Sequence, residues 1–421
     1  MDHRAIGLLV LAGAGAAAVA GIVAAQTSGP IARYEMRAGT TSGLGGMAGM
    51  RGGGMGAVMA MGMGGRPAPQ HELLLELGSS RAATGAPKAD HFMPAGARLG
   101  TSVALSTPVK APDGPDEPEV RDFKRPKGRM LIFWGCGEHA PAGQPVVIDF
   151  AKLAAGQMPP GLWSSAVPRE RTVSPQSSKT YGRWPSDDGK FVKPESSLLG
   201  DHRVASTYAP AMNFTLTKDF MGALSASSMA QPSGAILLRW NPLMGATGFH
   251  ASLFGGKQGP GGTMGDIVWW SSSATREFGG GLSDWLSPAT VAKLVANKTV
   301  LGPQSRTCLV PAEVKAASPQ FQMATLSAFG PQEDFAFPPR PADPKAPWKL
   351  EWTARIRHRS TTTLLLGMPG MDGMGDSEDP RSGRRASPDC QQKPKRRGLG
   401  GLGGLMGGML GGGGSSDGNG C

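Results

Sequence analysis

Glycine is distributed unevenly along this chain, and that limits what the chain can fold into. Residues 41–65 hold 11 glycines in 25 positions, and residues 398–421 hold 13 in 24. Glycine loses more backbone freedom on folding than any other residue and brings no side chain to a core. The nine tryptophans all lie between Trp134 and Trp352. Tryptophan brings the largest apolar area that a core can bury. The two patterns predict a folded centre between disordered Gly/Met-rich ends, and they exclude a uniformly compact chain. With 64 glycines and 36 prolines in 421 residues, the centre reads as turn-rich and mainly β.

The N-terminus is Met1-Asp2-His3-Arg4 followed by an uncharged run from Ala5 to Ala25. Small residues at Val23-Ala24-Ala25 suit a signal peptidase, so residues 1–25 read as a signal peptide cut between Ala25 and Gln26. An uncleaved membrane anchor is the minority reading. Export, periplasmic or secreted, would place Cys136, Cys308, Cys390 and Cys421 in an oxidising compartment. A Cys136–Cys308 bridge and two buried free thiols both stand open.

The formal charge is +11, and much of it sits in one segment. Arg381, Arg384, Arg385, Lys393, Lys395, Arg396 and Arg397 face a single acid, Asp389, across 17 residues. In an exported chain this basic tail points to an anionic envelope or membrane surface rather than to nucleic acid.

Residues 26–70 read as a disordered Gly/Met-rich linker, 71–200 as a β-rich domain, 201–360 as a second β domain and 361–421 as a disordered basic and Gly-rich tail. Strands are predicted at 71–77, 102–105, 129–134 and 145–150. The series continues at 203–207, 213–217, 235–240, 249–254, 267–271, 307–310, 321–329 and 348–358. In the last of these, Trp348, Leu350, Trp352, Ala354 and Ile356 alternate with Lys349, Glu351, Thr353, Arg355 and Arg357. Such alternation places one face on a core and the other in water. One helix is predicted over 288–297, capped by Ser287 with Pro288 at its first position.

The stretch Gly234-Ala-Ile-Leu-Leu-Arg-Trp240-Asn-Pro242-Leu-Met-Gly245-Ala246-Thr-Gly248-Phe249 resembles the fibronectin type III family. The likeness lies in a second strand bearing tryptophan, a proline turn, a glycine turn and an aromatic residue opening the next strand. Residues 321–331 resemble the penultimate strand of such a domain, and 348–358 the last. The resemblance implies an Ig-like β-sandwich over about 203–358, with Trp240 between two sheets, and a non-catalytic binding or spacer role. The inserted helix departs from the family pattern. A faint repeat, 128–134 against 234–240, suggests a second sandwich at a period of 106 residues.

Methionine is the composition's main hint of chemistry. Met59-x-Met61-x-Met63 and Met368-x-x-Met371-x-x-Met374 present thioethers, soft ligands that suit Cu(I). These spacings resemble motifs of periplasmic copper-handling proteins, so copper is the candidate cofactor. Compositional drift in a low-complexity tract, with methionine as its commonest apolar filler, is the simpler explanation. Trp134-Gly-Cys136-Gly-Glu138-His139 offers a Cys and a His, but no further ligand or base at a diagnostic spacing. It reads as a glycine turn with a buried thiol and a surface histidine. Trp269-Trp270 places at least one ring in the core. Arg355, Arg357 and Arg359 share a strand face that reads as solvated, or as facing an anionic partner. No Gly-x-Ser-x-Gly, His-Glu-x-x-His or phosphate-loop motif occurs. The sequence therefore favours an exported, envelope-associated interaction or structural protein with an unidentified protein partner. A Cu(I)-binding protein is the alternative, and a hydrolase the weaker one.

Overall fold

The computed structural model describes residues 29–48, 68–108, 128–157, 167–168, 170, 172–258, 264–278, 281–343 and 346–366. The described residues all belong to one compact unit. The fold is mainly β, as the turn-rich centre implies.

Sixteen strands occur among the described residues. The first nine are β1 (Ala32–Gly43), β2 (Gln70–Ser79), β3 (Ala89–Phe92), β4 (Ser102–Ala104), β5 (Arg129–Trp134), β6 (Val146–Asp149), β7 (Thr180–Trp184), β8 (Gly200–Ser206) and β9 (Met212–Leu216). The remainder are β10 (Ala226–Ala230), β11 (Ile236–Trp240), β12 (Gly248–Gln258), β13 (Met264–Ser271), β14 (Thr307–Val310), β15 (Phe321–Phe337) and β16 (Trp352–Leu365). Four short helices accompany them: α1 (Leu44–Ala48), α2 (Phe150–Ala154), α3 (Pro288–Ala296) and α4 (Ala312–Ala317).

Nine strands form one sheet in the order β6-β5-β13-β12-β15-β16-β1-β2-β7. Two smaller sheets, β10-β11-β14 and β4-β3-β8-β9, stand apart from it. The long sheet is antiparallel except at β1/β16 and β5/β13. One apolar cluster joins the four-stranded sheet to β16-β1-β2-β7 through Tyr34, Met36, Leu75, Leu77, Trp184 and Phe214. A second joins the three-stranded sheet to β5, β13, β12 and β15 through Trp240, Phe249, Leu253, Trp270 and Val310. The long sheet thus serves as the common wall of two cores.

Several expectations change here. Residues 32–43 of the supposed linker form β1, a central strand. Ala32, Tyr34, Met36 and Ala38 alternate inward on it and are all essentially buried. The charged alternates Arg33, Glu35 and Arg37 hide this pattern in the sequence. A boundary near residue 200 is not respected by the sheets, because β2, β5, β6 and β7 share the long sheet with β12, β13, β15 and β16. The faint repeat is not structural either: β5 lies in the nine-stranded sheet and β11 in the three-stranded one. The last strand begins at Trp352 and continues to Leu365, through a threonine run that suits extended backbone. Strands β3, β7 and β10 and helix α4 were not expected.

Other expectations hold. The Ser287 hydroxyl accepts from the Thr290 amide at 3.2 Å, Pro288 opens α3, and Val291 and Leu294 are its buried face. Trp240 of β11 and Phe249 of β12 belong to one apolar cluster, their ring centroids 5.6 Å apart. Gly245 turns the chain at φ +79°, and Gly248 lets α3 close on β12. A Cβ at Gly248 would lie 2.8–2.9 Å from methyl groups of Val300 and Val291.

Candidate functional site

The outer alternates of β1 and β16 form a charged layer on the side of the sheet opposite Tyr34 and Met36. Parallel pairing sets Glu35 beside Arg355, Arg37 beside Arg357 and Gly39 beside Arg359. Arg355 Nε and Nη2 donate to Glu35 Oε1 at 3.0 and 2.6 Å, and Arg357 Nη2 donates to Glu35 Oε2 at 3.1 Å. Glu170 reaches the same guanidinium groups, with Oε2 at 3.0 Å from Arg357 Nη1 and 3.4 Å from Arg355 Nη1. Its other oxygen accepts from the Ser287 amide and the Thr290 hydroxyl, both at 2.7 Å, and so ties the layer to the start of α3. Arg357 also donates to the Trp285 carbonyl. Arg359 lies 4.4 Å over the Trp285 ring, donates to Ser283 O at 2.6 Å and lies 3.7 Å from Glu72. Arg37 pairs with Glu76 at 3.2 Å, and Glu76 accepts from the Tyr181 hydroxyl at 2.7 Å.

Burial pushes the Arg357 and Arg359 guanidinium groups down, against the pull of their carboxylate neighbours. Burial also raises Glu170, but hydrogen bonds from Ser287 and Thr290, with the Arg357 charge, outweigh it and hold the carboxyl below its usual range. The arginine face expected to be solvated is therefore internal. Arg357 is 1% exposed, and the anions that Arg355, Arg357 and Arg359 meet are Glu35, Glu170 and Glu72 of the same chain. Glu35 and Glu170 are each engaged by both Arg355 and Arg357.

A second polar constellation crosses the core behind this layer. The Tyr34 hydroxyl lies 2.6 Å from His91 Nδ1, His91 Nε2 lies 2.9 Å from His202 Nδ1, and His202 Nε2 lies 2.7 Å from the Leu198 carbonyl. Strands β1, β3 and β8 each contribute one member. Tyr34, His91 and His202 are 1%, 0% and 2% exposed. Burial is the main cause that lowers both histidines and raises the tyrosine, so all three are neutral near pH 7. His202 also borders a cavity of about 400 Å3 shared with Phe92, Asp201, Arg203, Asn213 and Phe214.

Cys136 and Cys308 are joined by a disulfide, with Cα atoms 5.3 Å apart. It links the turn after β5 to β14, and hence the nine-stranded sheet to the three-stranded one. The thiol of Cys136 is consumed by this bond, which removes the Cys–His nucleophile reading. His139 is exposed and pairs with Glu313 at 3.0 Å. Trp270 is fully buried and donates from Nε1 to Gly135 O at 2.9 Å, while Trp269 packs edge-on against Phe278 on the other face.

No family model, no curated protein and no solved structure matches the chain. Its own geometry therefore carries the functional argument. Ala25 and Gln26, the six methionines from Met59 to Met374 and the basic residues from Arg381 to Arg397 lie outside the described residues. Among the described residues, no group of three His, Cys, Asp or Glu side chains is placed to hold a metal ion, and no helix is long and apolar enough to cross a membrane. Sequence reasoning missed Glu35, Glu170, Tyr34, His91 and His202. The alternation over 32–38 was the available signal for Tyr34 and Glu35. The histidines stand 111 residues apart, and only the sheet pairing brings them together.

Proposed function

We propose that this chain is exported and acts without catalysis, as an envelope-associated interaction or structural protein built on β-sandwich architecture. The Cys136–Cys308 bond carries this reading, because a disulfide spanning two sheets persists in an oxidising compartment and is rare in a reducing one. The apolar run before Gln26 supplies the export signal, and the basic tail supplies attraction to anionic surface. The seven strands β10 to β16 support a fibronectin type III-like module. The first, second and fifth form one sheet, the other four are consecutive in the long sheet, and the tryptophan of the second packs on the third.

Fractionation with mass spectrometry of the mature chain tests the proposal. The expected result is a protein in the exported fraction, beginning at Gln26, with Cys136 and Cys308 resistant to alkylation until reduced. Recovery in the cytosol with both thiols free would overturn it. A second reading, Cu(I) binding, rests on the spacing of Met59, Met61, Met63, Met368, Met371 and Met374. Titration of the mature protein with Cu(I) separates the two. Stoichiometric binding that is lost when these methionines are replaced favours copper.

A further inference from the structure

We infer that Tyr34, His91 and His202 form a proton-sensitive latch that holds the four-stranded sheet against the nine-stranded sheet and releases it when the chain gains a proton. The inference begins from hydrogen-bond direction. The Leu198 carbonyl can only accept, so His202 Nε2 carries a hydrogen. A neutral His202 then accepts at Nδ1, which requires His91 Nε2 to donate. A neutral His91 in turn accepts at Nδ1 from the Tyr34 hydroxyl. Three hydrogens thus fill three contacts, all donated in one direction, and every polar atom along the line is satisfied.

A fourth hydrogen has no place. A proton on His91 turns Nδ1 into a donor toward Tyr34, and the tyrosine hydrogen is driven out of its bond. A proton on His202 forces His91 into its other tautomer and displaces the same tyrosine hydrogen. Either route leaves a charge and an unpaired hydroxyl hydrogen among Phe214, Met212 and Val204. The acidic groups that bear on His202 are Asp201 and Glu333. Glu333 is already occupied by the amides of Thr217 and Lys218 and the Thr217 hydroxyl. Asp201 accepts from the Thr215 hydroxyl. By strand alternation, Asp90 and Arg203 lie on the opposite face of the small sheet from His91 and His202. Among the described residues, no carboxylate hydrogen-bonds either imidazole to stabilise the added charge. Tyr34 belongs to the long sheet and both histidines to the short one, so the conflict arises at the joint between them.

Hydrogen exchange read by mass spectrometry on the full chain, at about pH 7.5 and about pH 5 and corrected for intrinsic exchange, tests the latch. The expected result is exchange that accelerates at the lower pH about tenfold more in 89–92 and 200–206 than in 129–134 and 321–337, so that a loss common to the whole fold, such as that from buried His250, cancels. The His91→Gln/His202→Gln double variant should lose this difference. Unchanged protection in 89–92 and 200–206, or an equal loss across all four segments, would overturn the inference. The wild-type map decides the matter if the variant does not fold.

Discussion

Replacing Glu35 by glutamine tests the charged layer most directly. Glu35 is 5% exposed and accepts from Arg355 Nε and Nη2 and from Arg357 Nη2. Glutamine keeps the volume but removes one negative charge from a set of four arginines (37, 355, 357, 359) and four glutamates (35, 72, 76, 170). The layer is left at +1, and its amide hydrogens face guanidinium donors. Breaking a buried pair by neutralising one partner costs about 3–5 kcal/mol, because the other charge stays buried and uncompensated. Glu170 and the partial exposure of Arg355 offset some of this, which places the expectation near the lower figure. Urea unfolding followed by tryptophan fluorescence reads the loss as a lower midpoint at unchanged slope. The loss should be nearly insensitive to salt, since buried pairs are screened much less than surface ones. Arg357→Met in the Glu35→Gln background should recover part of it by removing the orphaned charge. A single-variant cost below about 1 kcal/mol, typical of exposed pairs, would refute the account of the layer as buried and mutually dependent.

The disulfide closes a separation of 172 residues, for which loop entropy gives about 5 kcal/mol, so Cys136→Ser/Cys308→Ser should lower the unfolding free energy by up to that amount, read from urea unfolding curves. His250 is buried on β12 against the Ser271 hydroxyl, and burial lowers its pKa from 6.5 to about 4. Only the unfolded state takes up this proton as pH falls below 6.5, so stability is full above that value. About 3 kcal/mol is then lost on approach to pH 4, and His250→Gln should flatten that part of a pH–stability curve. Deleting residues 26–43 should abolish cooperative unfolding, since it removes β1 from between β16 and β2; a circular dichroism melt checks this.

What the sequence disclosed follows from how each element is stabilised. Strands whose alternation separates apolar from polar residues, such as 236–240 and 249–254, were legible because one face supplies the core by itself. So was α3, whose cap, proline and apolar spacing are local. Strand β1 was not legible. Its polar residues are paired with partners about 320 positions away, and Arg33, Glu35 and Arg37 read as linker until Arg355 and Arg357 stand beside them. The same distance concealed the charged layer, for a row of arginines on one strand looks solvated when the opposing glutamates are unknown. The Tyr34–His91–His202 line was equally hidden, because three separate pairings must form before those side chains meet. The disulfide lay between: its two cysteines were visible, and its pairing depended on β5 and β14 facing each other.

The position of β1 also argues against treating the half from β10 to β16 as a separable module. Its last strand, β16, pairs with β15 on one side and β1 on the other. Its inward side chains Trp352, Ala354 and Ile356 belong to the core shared with the four-stranded sheet. A fragment beginning after residue 200 would keep Arg355 and Arg357 but lose Glu35 and Glu170. It would also present the β1 side of β16 as a 12-residue unpaired edge, the kind of surface that templates aggregation. The first strand closes that edge, cancels part of that charge and contributes Tyr34 to the latch. The two cores are therefore one folding problem, and the strand that joins them lies in the stretch that read as linker, at the edge of the first glycine tract.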